Sequence, residues 1–187
     1  MLLADHELNA SAFAVRVVAS TGAALAAGLQ AGLAALSGPR HGGMTARVAA
    51  LFDEAARTGH GAAAIAARLR RGDPLPGFHH PLYPEGDPRA AALLPCIRLP
   101  PALAATIAAA TAQSGEHPTI DVALVALERS YRLPAGAALT LFAIGRSAGW
   151  IAHAMEQQAS GQLIRPRARF IGAEAEAAAA KADAAKD

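Results

Sequence analysis

A long stretch near the start of the chain contains no charged side chain, and this stretch limits most strongly what the chain can fold into. It lies between Arg16 and Arg40 and reads VVASTGAALAAGLQAGLAALSGP. Its length would allow a membrane span, but alanine, glycine and a few polar residues dominate it, so its transfer into lipid is unfavourable. Three glycines let neighbouring helices approach closely: Gly22, Gly28 and Gly32. The stretch therefore predicts one or two buried helices over residues 10–37, ending at Gly38, and no membrane span.

The composition favours helices throughout the chain. Hydrophobic residues make up 53% of the 187 residues, yet aromatic residues make up only 4%. Alanine dominates, and it is the best helix former because it loses little side-chain entropy in a helix. We therefore predict an all-α protein. The formal net charge of +2, with the arginines scattered along the chain, does not indicate nucleic-acid binding.

Two features indicate a cytoplasmic protein. The single cysteine, Cys96, cannot form an internal disulfide bond or a cysteine-based zinc site, and it fits a reducing compartment. The first residues, MLLADHELN, contain acidic side chains and no basic segment, so they do not resemble a secretory signal. We therefore expect a cytoplasmic location.

Periodicity and helix-end signals divide the chain into helices and turns. The predicted helices cover residues 10–37, 44–58, 62–71, 89–95, 100–113, 120–131 and 135–159, with Ser11 as the first N-cap. Residues 72–90 differ, because five prolines prevent a continuous helix there. Long irregular segments in compact domains are often functional, and Phe78 and Tyr83 favour an ordered loop. The end of the chain, 173–187, is a low-complexity tail.

Residue patterns argue against several kinds of chemistry. No HExxH motif, cysteine cluster or close pair of histidines at helical spacing indicates a metal site, so we expect none. Ser147 lies in GRSAG, but its flanks are helical, whereas a nucleophile elbow follows a strand. The stretch GPRHGG, residues 38–43, lacks the lysine of a phosphate-binding P-loop.

The remaining candidates are histidines, aspartates and arginines in separate segments: His6, His41, His80, Asp87, Arg89, Asp121, Arg146, Arg165 and Arg167. Several arginines that converge on one pocket would suit a di- or tricarboxylate, because guanidinium groups bind carboxylates bidentately. A carboxylate together with a histidine could remove a proton from a carbon next to a carbonyl.

Six motifs occur in an order and spacing that resembles the citrate synthase family. They are LADHELNAS, SGPRHGG, PGFHHPLYPEGDPRA, TID, LFAIGRSAGWIAHAMEQ and LIRPRARFIG, and they extend from about residue 3 to residue 172. The resemblance implies an all-α, multi-helical fold with the active site between a large and a small domain. Residues 1–40 and 127–172 would belong to the large domain, residues 41–126 to the small domain, and residues 173–187 to the tail.

The resemblance also implies an activity, the condensation of acetyl-CoA with oxaloacetate to give citrate and CoA. No metal or redox cofactor is implied, because the CoA thioester is itself a substrate. Asp121 would remove a methyl proton from acetyl-CoA, and His41 would hydrogen-bond the thioester oxygen. His80 would polarise the ketone of oxaloacetate. The oxaloacetate carboxylates would be held by three side chains: His6, Arg89 and Arg146.

Two further segments are implied to take part. Arg165 resembles the arginine that dimers of the family contribute to the partner's site, which implies a homodimer or a partner chain. The loop residues Gly77, Phe78 and His79 would lie against CoA through their backbone groups.

Departures from the family pattern leave alternatives open. His79 stands where the family usually has glycine, and Pro84 and Glu85 occupy a stretch that often carries a basic residue for the CoA phosphates. The family's chain also has a long N-terminal portion before the first motif, without which apolar helix faces would need self-association or another chain. The first hypothesis is an enzyme, either a citrate synthase or a relative that uses propionyl-CoA. The alternatives are a truncated non-catalytic paralogue that binds a partner chain or a dicarboxylate ligand, and one half of a split enzyme.

Overall fold

A computed structural model describes residues 1–168 and Gly172, so the predicted tail at 173–187 lies outside the described residues. Within these residues the chain forms eight α-helices and no strand, which confirms the all-α prediction. The helices are α1 (Ala10–Ser20), α2 (Leu25–Leu36), α3 (Met44–Thr58), α4 (Gly61–Arg70), α5 (Pro88–Leu93), α6 (Pro101–Ser114), α7 (Ile120–Ser130) and α8 (Ala137–Ser160). A 3₁₀ turn, Leu94–Cys96, follows α5.

The uncharged stretch forms the end of α1 and all of α2, with a break at Gly22, whose φ is +78°. The prediction that Ser11 caps the first helix is wrong. Asn9 is the N-cap, and its side-chain oxygen accepts hydrogen bonds from the backbone N–H groups of Ser11 and Ala12, each at 3.2 Å. Ser11 lies inside the first turn and is buried, so its hydroxyl is available for a different role.

Helices α1, α2 and α8 pack on one another. The closest approach is at Gly32 of α2, where an added Cβ would lie 2.8 Å from Val15 Cγ2 and 2.9 Å from the Trp150 ring. Trp150 is only 1% exposed in this contact. Gly32 therefore serves close helix packing and Gly28 lies in ordinary contact with Val15, but the prediction is wrong for Gly22, where an added Cβ would meet nothing within 4 Å. No helix in the described part of the chain is long and apolar enough to span a membrane.

The remaining helices, α3 to α7, form a second group, and α7 lies at its centre. Ile120 and all residues from Val122 to Ala126 are buried, and α7 packs against α3, α5 and α8. Helix α6 packs on α3 and α4 at the outside of this group. One hydrophobic core runs through both groups. The predicted domain boundaries at residues 41 and 127 stay a prediction.

The proline-rich segment is ordered by pairing with the residues that precede α7. The backbone N–H of His79 donates to the carbonyl of His117 at 3.1 Å, and the N–H of Thr119 donates to the carbonyl of Gly77 at 2.8 Å. Phe78 between them is buried. The segment ends where Asp87 caps α5, which begins at Pro88. This pairing places the loop beside the first turn of α7.

Candidate active site

A cavity of about 500 Å³ lies where the first residues, the turn before α3, the proline-rich segment, α7 and α8 meet. Nine of the ten residues that were predicted to form the site line it: His6, His41, Gly77, Phe78, His79, His80, Arg89, Asp121 and Arg146. Arg165 does not. It is exposed among Leu163, Pro166 and Arg167, and its role in a partner's site stays a prediction.

Arg146 presents an unsatisfied guanidinium group to the cavity. The residue is 1% exposed, and its Nε donates to the backbone carbonyl of Leu3 at 2.7 Å. Its Nη1 and Nη2 are buried and have no hydrogen-bond partner among the described residues. The guanidinium carbon lies 5.2 Å from the centre of the Phe142 ring, which supports its orientation. Because unpaired buried donors are costly, two amino groups side by side mark a site for an anion with two oxygens.

Arg89 is already held by a carboxylate. Its Nε and Nη2 donate to the two oxygens of Asp87 at 2.9 and 2.8 Å, and the backbone N–H of Ile120 also donates to Asp87, at 2.9 Å. Burial alone would raise the pKa of Asp87, but these hydrogen bonds outweigh it and the pKa is lowered. The Arg89–Asp87 pair thereby links α5 to the first turn of α7, and Arg89 has fewer donors free for a ligand than Arg146.

Asp121 lies in the first turn of α7, and its carboxyl group is only partly satisfied. Thr119 Oγ1 donates to Oδ2 at 3.2 Å, whereas Oδ1 is buried and has no partner among the described residues. Burial raises the pKa of Asp121 to about 6. A carboxylate with this pKa is a stronger base than an ordinary aspartate and is still ionised at neutral pH.

His41 is neutral, and a hydrogen bond between its ring and the Ser11 hydroxyl fixes its orientation. Burial and the positive charge of Arg146 lower the pKa of His41 to about 4. Its Nε2 lies 2.8 Å from Ser11 Oγ, which also accepts a hydrogen bond from Trp150 Nε1 at 3.1 Å. Ser11 Oγ lies 2.8 Å from Asn9 Oδ1 as well. Because the hydroxyl group has one hydrogen, donating it to His41 places the imidazole proton on Nδ1, and donating it to Asn9 places that proton on Nε2.

His6, His80 and Tyr83 form a cluster of rings on the other side of the cavity. His6 Nε2 is 2.8 Å from the Tyr83 hydroxyl, and the two imidazole rings meet edge to face with centres 5.6 Å apart. The backbone N–H of Leu82 donates to His80 Nδ1 at 3.2 Å. Burial and the charge of Arg89 lower the pKa of His80. Neutral His80 therefore carries its proton on Nε2, where it can donate to a substrate oxygen.

The loop between Gly77 and His80 has a strained backbone. Gly77 has φ of +79°, and a Cβ there would lie 2.5 Å from Val48 Cγ2 and 2.8 Å from Val122 Cγ2. His79 has φ of +75°, a conformation that favours glycine. Its half-exposed side chain lies 3.0 Å from Glu116 Oε2. The β-carbon of His79 therefore strains the backbone of the loop.

The sequence analysis missed several residues that line the cavity or support its walls, because they act through contacts distant in the sequence. Ser11 and Trp150 are separated by 139 positions, and no local pattern joins them. Tyr83 carried a weak signal, since it was the second aromatic residue of the proline-rich segment. Phe142, Arg40 and Arg47 also line the cavity and were not assigned to it. His153 instead packs between Arg16 and Asp5, outside the cavity.

Comparisons with known proteins show the family to which the chain is similar. The family described as citrate synthase, C-terminal domain, matches residues 1–167. A Mycobacterium tuberculosis (strain H37Rv) protein that carries citrate synthase 2 as a provisional name is 40% identical, over 90% of this chain and 48% of its own length. Citrate synthase 2 of Bacillus subtilis (strain 168) is 32% identical, over 92% of this chain and 49% of its own.

Solved structures show the same fold. A citrate synthase from Thermoplasma acidophilum, in a ternary complex with carboxymethyl coenzyme A and oxaloacetate, superposes with a TM-score of 0.74 at 31% identity, over 91% of this chain and 50% of that one. A citryl-CoA lyase from Hydrogenobacter thermophilus has a TM-score of 0.77 at 25% identity, over 90% and 70%. The chain spans about half the length of the curated relatives that it matches. Sequence, fold and cavity together show that the chain belongs to the citrate synthase family.

Proposed function

We propose that this chain catalyses the condensation of acetyl-CoA with oxaloacetate to give citrate and CoA, as a citrate synthase. The observation that carries the proposal is the cavity itself, which combines an unpaired buried guanidinium group, two neutral histidines and a carboxylate whose pKa is about 6. One related structure is a complex with oxaloacetate and carboxymethyl coenzyme A, and another is a citryl-CoA lyase, and both support the choice of substrates.

Oxaloacetate would bind first in the deepest part of the cavity. Nη1 and Nη2 of Arg146 would receive one carboxylate bidentately, which satisfies both buried donors. Arg89 and His6 would contact the second carboxylate. His80 would donate from Nε2 to the ketone oxygen and so polarise the carbonyl carbon for attack.

Acetyl-CoA would then lose a methyl proton to Asp121. The enol oxygen that forms from the thioester carbonyl would accept a hydrogen bond from His41, which requires the imidazole proton on Nδ1. The Ser11 hydroxyl, which donates to Asn9 Oδ1 in the structure, would then turn its hydrogen to His41 Nε2. The methyl carbon then attacks the polarised ketone, whose oxygen takes the proton from His80 Nε2 and becomes the hydroxyl group of citryl-CoA. The proton that Asp121 removed then restores His80, so the condensation step is balanced. Water hydrolyses this thioester to citrate and CoA, which balances the reaction.

A second activity is favoured by one observation. The citryl-CoA lyase from Hydrogenobacter thermophilus shares the fold with a TM-score of 0.77, against 0.74 for the Thermoplasma acidophilum citrate synthase. Cleavage of citryl-CoA to acetyl-CoA and oxaloacetate reverses the condensation step and would use the same groups. Propionyl-CoA in place of acetyl-CoA is a further variant of the forward reaction.

The test measures both directions with the purified chain of 187 residues. Free thiol released from acetyl-CoA, with and without oxaloacetate, reports condensation followed by hydrolysis. Oxaloacetate released from citryl-CoA, followed with malate dehydrogenase, reports cleavage. In each assay Asp121→Asn is expected to lower turnover by about 10²–10⁴-fold and to leave oxaloacetate binding unchanged, because Arg146 is intact. Equal turnover in this variant would refute the role of Asp121.

A folded chain that binds oxaloacetate but shows neither activity would instead support a non-catalytic paralogue or one half of a split enzyme. Adding candidate partner chains then separates these two alternatives.

We also propose that the chain works as a homodimer in the cytoplasm. Helices α1, α2 and α8 carry exposed apolar side chains, among them Phe13, Leu33, Ile144 and Met155, and such surfaces favour association.

The proposed location in the cytoplasm is supported by the chain's single thiol, Cys96, which is exposed and unpaired and fits a reducing compartment.

A further inference from the structure

The charged residues that line the cavity are strongly biased toward positive charge. Four arginines line it, and Asp121 is the one carboxylate residue beside them in the described part of the chain. Arg89 and Arg146 are buried, whereas Arg40 and Arg47 are exposed. The cavity thus has an inner pair of arginines and an outer pair, and the proposed mechanism uses only the inner one.

The outer pair lies at the start of α3. Arg40 is in the turn that leads to the helix, and Arg47 is in the first turn, which contains no acidic residue. Among residues 1–168, neither guanidinium group forms an ion pair with a carboxylate. Two arginines on a cavity rim without carboxylate partners favour a ligand with several negative charges.

The segment that follows His80 supplies no positive charge. The segment from Pro81 to Pro88 contains no lysine or arginine and carries Glu85 and Asp87. Asp87 is already neutralised by Arg89. A polyanion at the mouth of the cavity would therefore be bound from the α3 side.

We propose that Arg40 and Arg47 bind the phosphate groups of the acyl-CoA substrate, and this inference rests on the proposed function. The thioester must reach Asp121 and His41 inside the cavity, and the pantetheine arm then places the phosphates outside, at the rim. Guanidinium groups match phosphate oxygens bidentately. The α3 arginines thus take the place of the basic residue that the segment after His80 lacks.

The test compares two thioesters that differ in the phosphates. Isothermal titration calorimetry measures the Kd of acetyl-CoA and of acetyl-pantetheine, which lacks every phosphate, for the wild-type chain and for Arg40→Gln/Arg47→Gln. Arg57→Gln/Arg70→Gln is the control, because these arginines are also exposed, do not line the cavity and remove the same charge. Oxaloacetate binding is measured for all three proteins.

The α3 variant is expected to raise the Kd of acetyl-CoA about tenfold or more, with no change for acetyl-pantetheine or oxaloacetate. The control should bind all ligands like the wild type. The wild-type affinity for acetyl-CoA should also fall with added salt more steeply than that of the α3 variant. An unchanged Kd for acetyl-CoA in the α3 variant would overturn this inference and leave the proposed function standing. A wild-type chain that binds oxaloacetate but not acetyl-CoA would overturn both.

Discussion

At the scale of single residues, the carboxyl group of Asp121 has the strongest consequence for function. Burial raises its pKa to about 6, and one of its oxygens has no partner in the described part of the chain. The same burial that makes it a better base also makes its ionised form unfavourable. Activity and stability should therefore depend on pH in opposite directions through this group.

We expect kcat/KM for condensation to rise with pH through about 6 and to level off above it, because only the ionised form of Asp121 accepts a proton. His41 adds no ionisation in this range, since its pKa is about 4. The free energy of unfolding changes in the opposite direction. The pKa of Asp121 in the folded chain exceeds its value of 3.8 in the unfolded chain, so the free energy of unfolding falls as the pH rises from about 4 to about 6.

The pH dependence of urea unfolding measures the stability change. The free energy of unfolding of the wild type should fall by about 3 kcal/mol as the pH rises from about 4 to about 6, and Asp121→Asn should abolish this fall. Identical pH profiles of unfolding for the wild type and Asp121→Asn would contradict the raised pKa.

His79 is the residue whose backbone conformation fits its side chain least. His79→Gly should raise the free energy of unfolding by about 1 kcal/mol, because glycine adopts φ of +75° without strain. We also expect CoA to bind more tightly, since the imidazole leaves the cavity wall. Urea unfolding and calorimetric titration measure the two effects.

Glu116→Gln is the control for His79→Gly, because it breaks the pairing with His79 and leaves the backbone as it is. A lower free energy of unfolding in His79→Gly than in this control would show that the loop tolerates histidine.

Residue types alone indicated a possible carboxylate-binding site with a general base, and the family resemblance added the individual roles, but neither could show how the site is assembled. The motif order placed His41, His80 and Asp121 in roles that their positions in the cavity allow. No pattern could show that Arg146 has two free amino groups or that Arg89 is paired with Asp87, because those facts depend on contacts between distant segments. The rim arginines were missed for the same reason.

At the scale of elements, the sequence predicted the helices well where glycine or proline marks their ends. Helix α3 was predicted at residues 44–58 and is Met44–Thr58, because Gly43 and Gly59 flank it. The N-cap of α1 was misplaced, because Asn9 and Ser11 are both good caps and only the fold decides between them.

Helix α2 offers a matched pair of glycines for testing its packing. Gly32→Ala should lower the free energy of unfolding by about 1–3 kcal/mol, because the new methyl group would overlap Val15 and Trp150. Gly28→Ala should be neutral or raise it by up to about 1 kcal/mol, since its Cβ would lie 3.5 Å from Val15 and alanine favours the helix. Thermal and urea unfolding measure the change in the free energy of unfolding for each variant. Equal effects of both variants would contradict the packing described for α2.

At the scale of the whole molecule, the exposed face of α8 is the feature that bears on assembly. Ile144 and Met155 are 66% and 61% exposed. They are separated by about three helical turns, so they lie on one side of the helix. A second copy of the chain that covers this side would bury both residues.

We expect the wild-type chain to sediment as a dimer and Ile144→Glu/Met155→Glu to sediment as a monomer, because paired charges oppose burial of the face. Tyr131→Glu/Leu133→Glu changes the charge equally at exposed apolar residues elsewhere, and it should remain a dimer. Sedimentation velocity at several concentrations measures both. A monomeric wild type would refute self-association and favour a separate partner chain.

The contact between Arg146 and Leu3 ties the cavity to the first residues of the chain. Their hydrogen bond spans 143 positions, and His6 lies in the same segment, residues 1–9, which forms no helix. Segments outside a helical core detach at a lower free energy than the core unfolds. Detachment of residues 1–9 would remove one wall of the cavity while α3 to α7 stay packed. On warming, oxaloacetate binding should therefore disappear before the helical circular dichroism signal does, so the protein would lose its site at a lower temperature than its fold.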